Sequence, residues 1–307
     1  MNLPLEWVEA PPAMTPGEAA AYCARLARSH YENFNVVSFL LPRELHQDFY
    51  NVYAYCRWSD DLADETGDRA RSLELLRLWE EELENCYAGR PAPHPVFLAL
   101  AGTVRRCDIP IQPFRDLLRA FVQDQQVGRY PTYEDLLGYC RNSANPVGRL
   151  VLYLCGYRDE ERQRLSDFTC TALQLANFWQ DVTVDYAKDR IYLPLEDLAR
   201  FGCSEQQIAR REFNPAFAGL MRFEVDRARD LFQKGLPLTG MVDSRLASDI
   251  ELFSRGGLEI LTMIEAQGYN VLAGRPVLSR FRKLRLLATA FWKRMVLPEK
   301  PAQGVGV

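Results

Sequence analysis

The chain has 307 residues, a formal net charge of −4 and 48% hydrophobic residues. That length and apolar share can fill a large core in one or two domains, and the absence of a basic excess argues against a nucleic-acid partner. No run of 18 apolar residues occurs, and the opening stretch MNLPLEWVEAPPAM lacks a basic segment followed by an apolar one. Neither a membrane-spanning helix nor a signal peptide is therefore expected, and the expected location is the cytoplasm.

In chain order, helical periodicity or strong helix formers mark residues 15–30, 43–63, 70–88, 112–128, 133–141, 146–156, 159–186, 195–200, 204–211, 214–234, 240–268 and 277–296. Prolines punctuate the gaps, with Pro91, Pro93 and Pro95 clustered after the third segment. Thr132 and Ser204 read as N-caps, with Asp135 and Gln207 three residues on. No alternating strand pairs and no βαβ rhythm occur, so the expectation is one all-α domain over residues 1–297 with a disordered tail at 298–307. The eight cysteines lie 15 or more residues apart with no CxxC, which reads as reduced thiols in a core. His30, His46 and His94 have no zinc-ligand spacing.

Aspartates four apart share one face of a helix. The chain holds five such pairs: 60/64, 64/68, 181/185, 185/189 and 226/230. Arg227 and Arg229 interleave the last pair, which reads as a solvated face. The pairs Asp60/Asp64 and Asp181/Asp185 differ, because each closes a strongly apolar run, FYNVYAYCRW and FTCTALQLANFWQ. Carboxylates directed inward or into a cleft need a cation, supplied by a metal or by a basic side chain. Arg57 and Tyr53 share the face of the first pair, and Arg57 suits either an ion pair or bidentate contact with a diphosphate. Gln174, Asn177, Asp181 and Asp185 form a polar stripe on an otherwise apolar helix, and Arg190 follows as that helix ends. A polar stripe inside a core needs partners.

Together, YCRWSDDLADE and QLANFWQDVTVDYAKDRIYLP resemble the squalene/phytoene synthases, from about Ala19 to Trp292. The resemblance implies an all-α isoprenoid-synthase bundle with a central active-site cavity. It implies two or three Mg²⁺ ions held by Asp60, Asp64, Asn177, Asp181 and Asp185 against a prenyl diphosphate. It further implies that Arg57, Gln174, Asn177, Arg190 and Tyr192 line the diphosphate end. By family position Arg275 joins them; the plainer reading is a surface arginine.

Two segments depart from the condensing members. His30-Tyr31-Glu32-Asn33-Phe34 replaces a Ser-x-Ser-Phe start, which leaves His30, Asn33 and Phe34 as substrate contacts. Tyr139-Cys140-Arg141-Asn142-Ser143-Ala144-Asn145 replaces a tyrosine-rich segment. These departures resemble the bacterial hydroxysqualene synthase subgroup of hopanoid biosynthesis. That resemblance implies ionisation of presqualene diphosphate, rearrangement of the carbocation and capture by water, with no NADPH. A hand-off from a presqualene diphosphate synthase would supply the substrate. Arg141 then joins the substrate contacts, and Asn142 and Asn145, with Ser143, position the water. Phe34, Tyr53, Phe168, Phe178 and Trp179 are candidate walls for the cation, or core packing. The basic, amphipathic stretch 279–287 reads as a solvated last helix or as attachment to an anionic membrane surface. The competing activities are a condensing head-to-head prenyl transferase and a non-catalytic helical assembly factor. Intact aspartate pairs weigh against the latter. No G-x-S-x-G, P-loop or G-x-G-x-x-G occurs.

Overall fold

The computed structural model describes residues 3–29 and 43–277. The expected helix at 277–296, the basic stretch 279–287, the tail 298–307 and the segment carrying His30, Asn33 and Phe34 lie outside the described residues, except for Val277. The described residues are helices and connections, with one isolated parallel bridge between Arg129 and Ile191. They group into two compact units, one built from residues up to Gln126 with Pro146–Asp159, the other from Val127–Asn145 and Glu160 onward.

The first unit contains α1 (Pro16–Ser29), α2 (His46–Asp64), α3 (Arg69–Tyr87), α4 (Pro95–Arg106) and α5 (Gln112–Asp124). Helix α4 was not expected, because three prolines precede and open it. Pro95 occupies its first turn, where a missing N–H costs nothing, and His94 caps it by accepting from the Val96 N–H at 3.3 Å. The core is aromatic. Trp58 stacks on Trp79 with centroids 5.5 Å apart, and the His94 ring meets both edge-on at 4.5 and 4.7 Å. Tyr55 packs edge-on against Phe114 at 4.8 Å and donates its hydroxyl to the Phe114 carbonyl at 3.0 Å. Buried Asp48 and Asn51 both bond Thr103, at 2.6 and 3.0 Å, which ties α2 to α4. These contacts fix the rotation of α2 about its axis, and with it the direction of the first aspartate segment.

The second unit contains α6 (Tyr133–Ser143), α8 (Glu160–Tyr186), α9 (Leu195–Arg200), α10 (Glu205–Ala209), α11 (Pro215–Gly235) and α12 (Ser244–Ala266); the short α7 (Asn145–Leu154) starts at its boundary. Thr132 and Asp135 form the expected capping box, and Ser204 accepts from the Gln207 N–H at 3.3 Å. Helix α12 starts later than expected, after a 3₁₀ turn at Leu236–Gly240, because Asp243 caps it by accepting from Arg245 and Leu246. Helix α8 packs against α11 and α12. Fully buried Trp179 donates its indole N–H to the Glu224 carbonyl at 3.1 Å. A side chain at Gly257 would collide with Phe232, so close approach of α11 and α12 requires glycine there.

The eight cysteines form no disulfide. None of the described helices is long and apolar enough to cross a membrane.

Candidate active site

The first aspartate segment ends α2. Its middle residue, Asp61, is buried and pairs with Arg57, which also reaches Asp60 at 3.1 Å. Asp60 is half exposed and Asp64 exposed, one turn apart at the end of the helix. The segment therefore divides: Asp61 anchors Arg57 from inside, while Asp60 and Asp64 face accessible space. The end of α2 is held by the Ala63 carbonyl, which accepts from Ser72 at 3.1 Å and Gln125 at 2.9 Å. Tyr53 is half-buried, and burial raises its hydroxyl pKa.

The second segment ends α8. Gln174 is half-buried and Asn177 exposed, so the stripe faces accessible space. Arg275 grips Asp181: Nη2 donates to Oδ2 at 2.9 Å, and Nε pairs with Oδ1. Asp185 is pushed up to about 7, first by burial and then by Asp181; Lys188, Arg190 and Arg275 pull the other way. Two carboxylates one turn apart, one of them partly withdrawn from water, thus stand among three cations.

A divalent cation fits this donor set. Mg²⁺ takes one or two carboxylates and completes its shell with substrate phosphates and water. No group of three or more His, Cys, Asp or Glu among the described residues forms a ready cage. Two carboxylates leave most of such a shell to an anionic ligand and water, so the fit is to a metal shared with that ligand.

The loop after α8 is built by a segment 60 residues earlier. The Ile191 N–H donates to the Gly128 carbonyl at 2.8 Å, and the Leu195 N–H to the Tyr130 carbonyl at 2.9 Å. Arg129 donates to the Asp189 carbonyl at 2.5 Å, to its carboxylate at 2.8 Å and to Glu205 at 3.1 Å. Asp189 adopts a left-handed φ of 56°, which turns the chain so that Arg190 and Tyr192 follow directly on the aspartates. Buried Tyr192 stacks on Phe178, and Tyr130 and Tyr139 close the cluster.

The squalene/phytoene synthase family model matches residues 27–282. The chain belongs to the squalene/phytoene synthase family. It is 31% identical over 297 residues to the 15-cis-phytoene synthase of Synechococcus elongatus, covering 91% of this chain and 94% of that one. Among solved structures, the squalene synthase HpnC from Alicyclobacillus acidocaldarius is 47% identical with a TM-score of 0.80, covering 83% of this chain and 96% of that one. A dehydrosqualene synthase solved with a ligand is 26% identical with a TM-score of 0.81, covering 92% and 98%. The all-α fold is thus that of this family of prenyl-diphosphate enzymes, as the motifs implied.

Within the family frame, the second unit brings together Asn177, Asp181, Asp185, Arg190, Tyr192 and Arg275, and the first unit Tyr53, Arg57, Asp60 and Asp64. Lys188, Gly128 and Arg129 went unnoticed from sequence. Lys188 was visible as a second cation between Asp185 and Arg190; the other two act through a pairing that no local pattern announces. Two expected site residues are placed otherwise. Arg141 is exposed and pairs with Glu134 at 2.9 Å on its own helix. Asn145 is buried, and its amide oxygen accepts from Thr171 at 2.9 Å. Thr171 is ten residues before Asp181, about 15 Å along the helix, so this bond lies well away from the Asp181–Asp185 end of α8. Trp179 is buried and bonded to α11, as its core-packing reading expects. A groove of about 530 Å³ lined by Leu73, Leu76, Leu118 and Val122 contains none of the aspartates.

Proposed function

We propose that the protein is a hydroxysqualene synthase, which ionises presqualene diphosphate with Mg²⁺ and lets water capture the rearranged carbocation. In this reading Asp60, Asp64, Asp181 and Asp185, with Asn177, hold the metal. Bound Mg²⁺ would neutralise the diphosphate as the carbon–oxygen bond breaks and its electron pair leaves with the phosphate. Arg57, Lys188, Arg190 and Arg275 supply guanidinium and ammonium donors to the same developing charge.

The observation that carries water capture is Ser143. Its Oγ is buried and has no hydrogen-bond partner among the described residues. A buried hydroxyl normally finds one, and ordered water is the commonest substitute. Ser143 lies one turn after Tyr139 on α6, and the Tyr139 ring packs against Phe178 at 6.2 Å and Tyr192 at 5.9 Å. A water held there stands beside the aromatic cluster that follows the aspartates. Asn142, half-buried in the same turn, is the second polar group available to it. Balance is simple: water forms the new carbon–oxygen bond and loses one proton, and the released diphosphate is a base able to take it. No reductant enters, so NADPH is not required.

A condensing synthase is the second reading, favoured by the phytoene synthases among the relatives. Incubation with presqualene diphosphate and Mg²⁺, followed by mass spectrometry, tests the choice. Hydroxysqualene formed without NADPH, and abolished by EDTA, is the expected result. Presqualene diphosphate, squalene or phytoene formed from farnesyl or geranylgeranyl diphosphate would replace it with the condensing reading. Docking of the protein on an anionic membrane, and substrate hand-off there from a presqualene diphosphate synthase, are further parts of this proposal; vesicle flotation at low and high salt tests the first.

A further inference from the structure

Arg275 spans the Asp181 carboxylate. Its guanidinium engages both carboxylate oxygens, through Nη2 at 2.9 Å and through Nε. A metal ion approaching that carboxylate meets a cation already in place, and must displace the guanidinium or bind against its repulsion. The backbone that carries Arg275 is fastened on both sides. Upstream, Tyr269 is buried with a left-handed φ of 65°, and Val271 and Leu272 are fully buried. The Tyr269 ring also lies under Arg222, 5.2 Å from its guanidinium carbon. Downstream, the buried Gln180 side chain donates to the Pro276 carbonyl. Gln180 is the residue before Asp181, so one turn of α8 holds both the loop and the arginine that the loop presents. The Arg275 side chain itself is 48% exposed. The anchored backbone stays, and the exposed guanidinium is the part free to swing.

We infer that Arg275 is a place-holding cation, which neutralises Asp181 in the ligand-free site and releases it to Mg²⁺ when a diphosphate arrives to take the guanidinium. This rests on the Mg²⁺–diphosphate reading of the site. Two exchanges are coupled: the carboxylate trades a guanidinium for a metal, and the guanidinium trades a carboxylate for a phosphate. Each alone leaves a charge without its counter-ion, so metal and diphosphate bind better together than apart. Linkage makes that coupling reciprocal, and couplings of this kind span about 5- to 150-fold. The arrangement keeps the metal from loading without substrate, and it makes Arg275 a positioning residue for the metal as well as a contact for the leaving group.

The test is Mn²⁺ binding followed by electron paramagnetic resonance of the full chain, without any diphosphate present. Arg275→Gln removes the competing charge and is expected to tighten Mn²⁺ binding about ten-fold, or to create binding where the parent shows none. Arg275→Lys keeps the charge and should bind Mn²⁺ within about two-fold of the parent, with thermal melting confirming that both variants are folded. Inorganic diphosphate binding, measured without metal, should weaken in Arg275→Gln. Mn²⁺ binding that is equal or weaker in Arg275→Gln overturns the inference. Adding Asp181→Asn to Arg275→Gln separates the two levels: if the double variant binds Mn²⁺ as Arg275→Gln does, the metal reading itself falls. If the double variant binds less while Arg275→Gln binds no more tightly than the parent, only the place-holder falls.

Discussion

Phe178 and Tyr192 stack with ring centroids 3.7 Å apart and planes 7° from parallel. Phe178 sits one turn before Asp181 on α8, and Tyr192 two residues beyond Arg190. The stack therefore fixes the loop that carries Arg190 to the helix that carries the aspartates. Tyr192→Ala should destabilise the second unit by about 3 kcal/mol, as for other large-to-small core changes. Tyr192→Phe keeps the stack and should cost less than about 1 kcal/mol. Denaturant unfolding of both variants checks the difference, and equal losses would mean that the hydroxyl, and not the stack, does the holding.

Gly128 is the other end of the same device. A Cβ there would stand 2.6 Å from the Asp189 carbonyl oxygen, a backbone atom that cannot step aside cheaply. Gly128→Ala should push the 189–192 loop away while leaving the helices intact. The expected result is a rise in KM for the diphosphate substrate of about ten-fold, with the melting temperature lowered by only a few degrees. A variant with unchanged KM and a large loss of stability would make Gly128 a folding residue only.

These two relationships show what was legible from sequence. Helices α2 and α8, and the aspartates on them, were readable because apolar periodicity and motif spacing act within a few turns. The caps at Thr132 and Ser204 were readable for the same reason. Helix α4 was not, since Pro91, Pro93 and Pro95 signal a break, and only the His94 cap with Pro95 in the first turn turns that signal into a start. The clamp of Arg129 on Asp189 spans 60 residues and the grip of Arg275 on Asp181 spans 94. No local pattern encodes either. The polarity of Asn145 was visible, but its buried bond to Thr171 was not.

Glu224 gives the fold a pH dependence that no motif announces. It is fully buried on α11 beside Arg227 at 3.3 Å, while the same guanidinium reaches buried Asp197 at 2.5 Å. Arg227 also lies over the rings of Tyr133 and Phe223, each 4.1 Å from its guanidinium carbon. Burial pushes Glu224 up to about 8; Arg227 opposes the shift and Asp197 adds to it. Between its ordinary value of 4.5 and about 8 the folded protein holds a proton that the unfolded chain releases. Stability from this group therefore falls as pH rises through that window, and is level below and above it. Glu224→Gln should flatten the fall, so its advantage over the parent is larger at pH 8.5 than at pH 5. Urea unfolding at both values measures it; an advantage larger at pH 5 would reverse the assignment.

In the proposed reaction, Ser143 sets the partition between the alcohol and elimination products. Its Oγ is buried with no hydrogen-bond partner among the described residues, one turn from Tyr139. A hydrogen bond from that hydroxyl to the attacking water is worth about 1–1.5 kcal/mol, roughly a factor of ten in the partition between capture and proton loss. Ser143→Ala removes it without adding bulk. With presqualene diphosphate and Mg²⁺, the share of hydroxysqualene should fall about ten-fold relative to elimination products, while diphosphate release stays within about two-fold of the parent. Ser143→Thr keeps the hydroxyl and should keep the alcohol. The two readouts separate the roles: diphosphate release reports ionisation at the aspartates, and the product ratio reports the fate of the cation afterwards. A normal product ratio in Ser143→Ala would move the water to Asn142, whose replacement by leucine is then the variant that must change it.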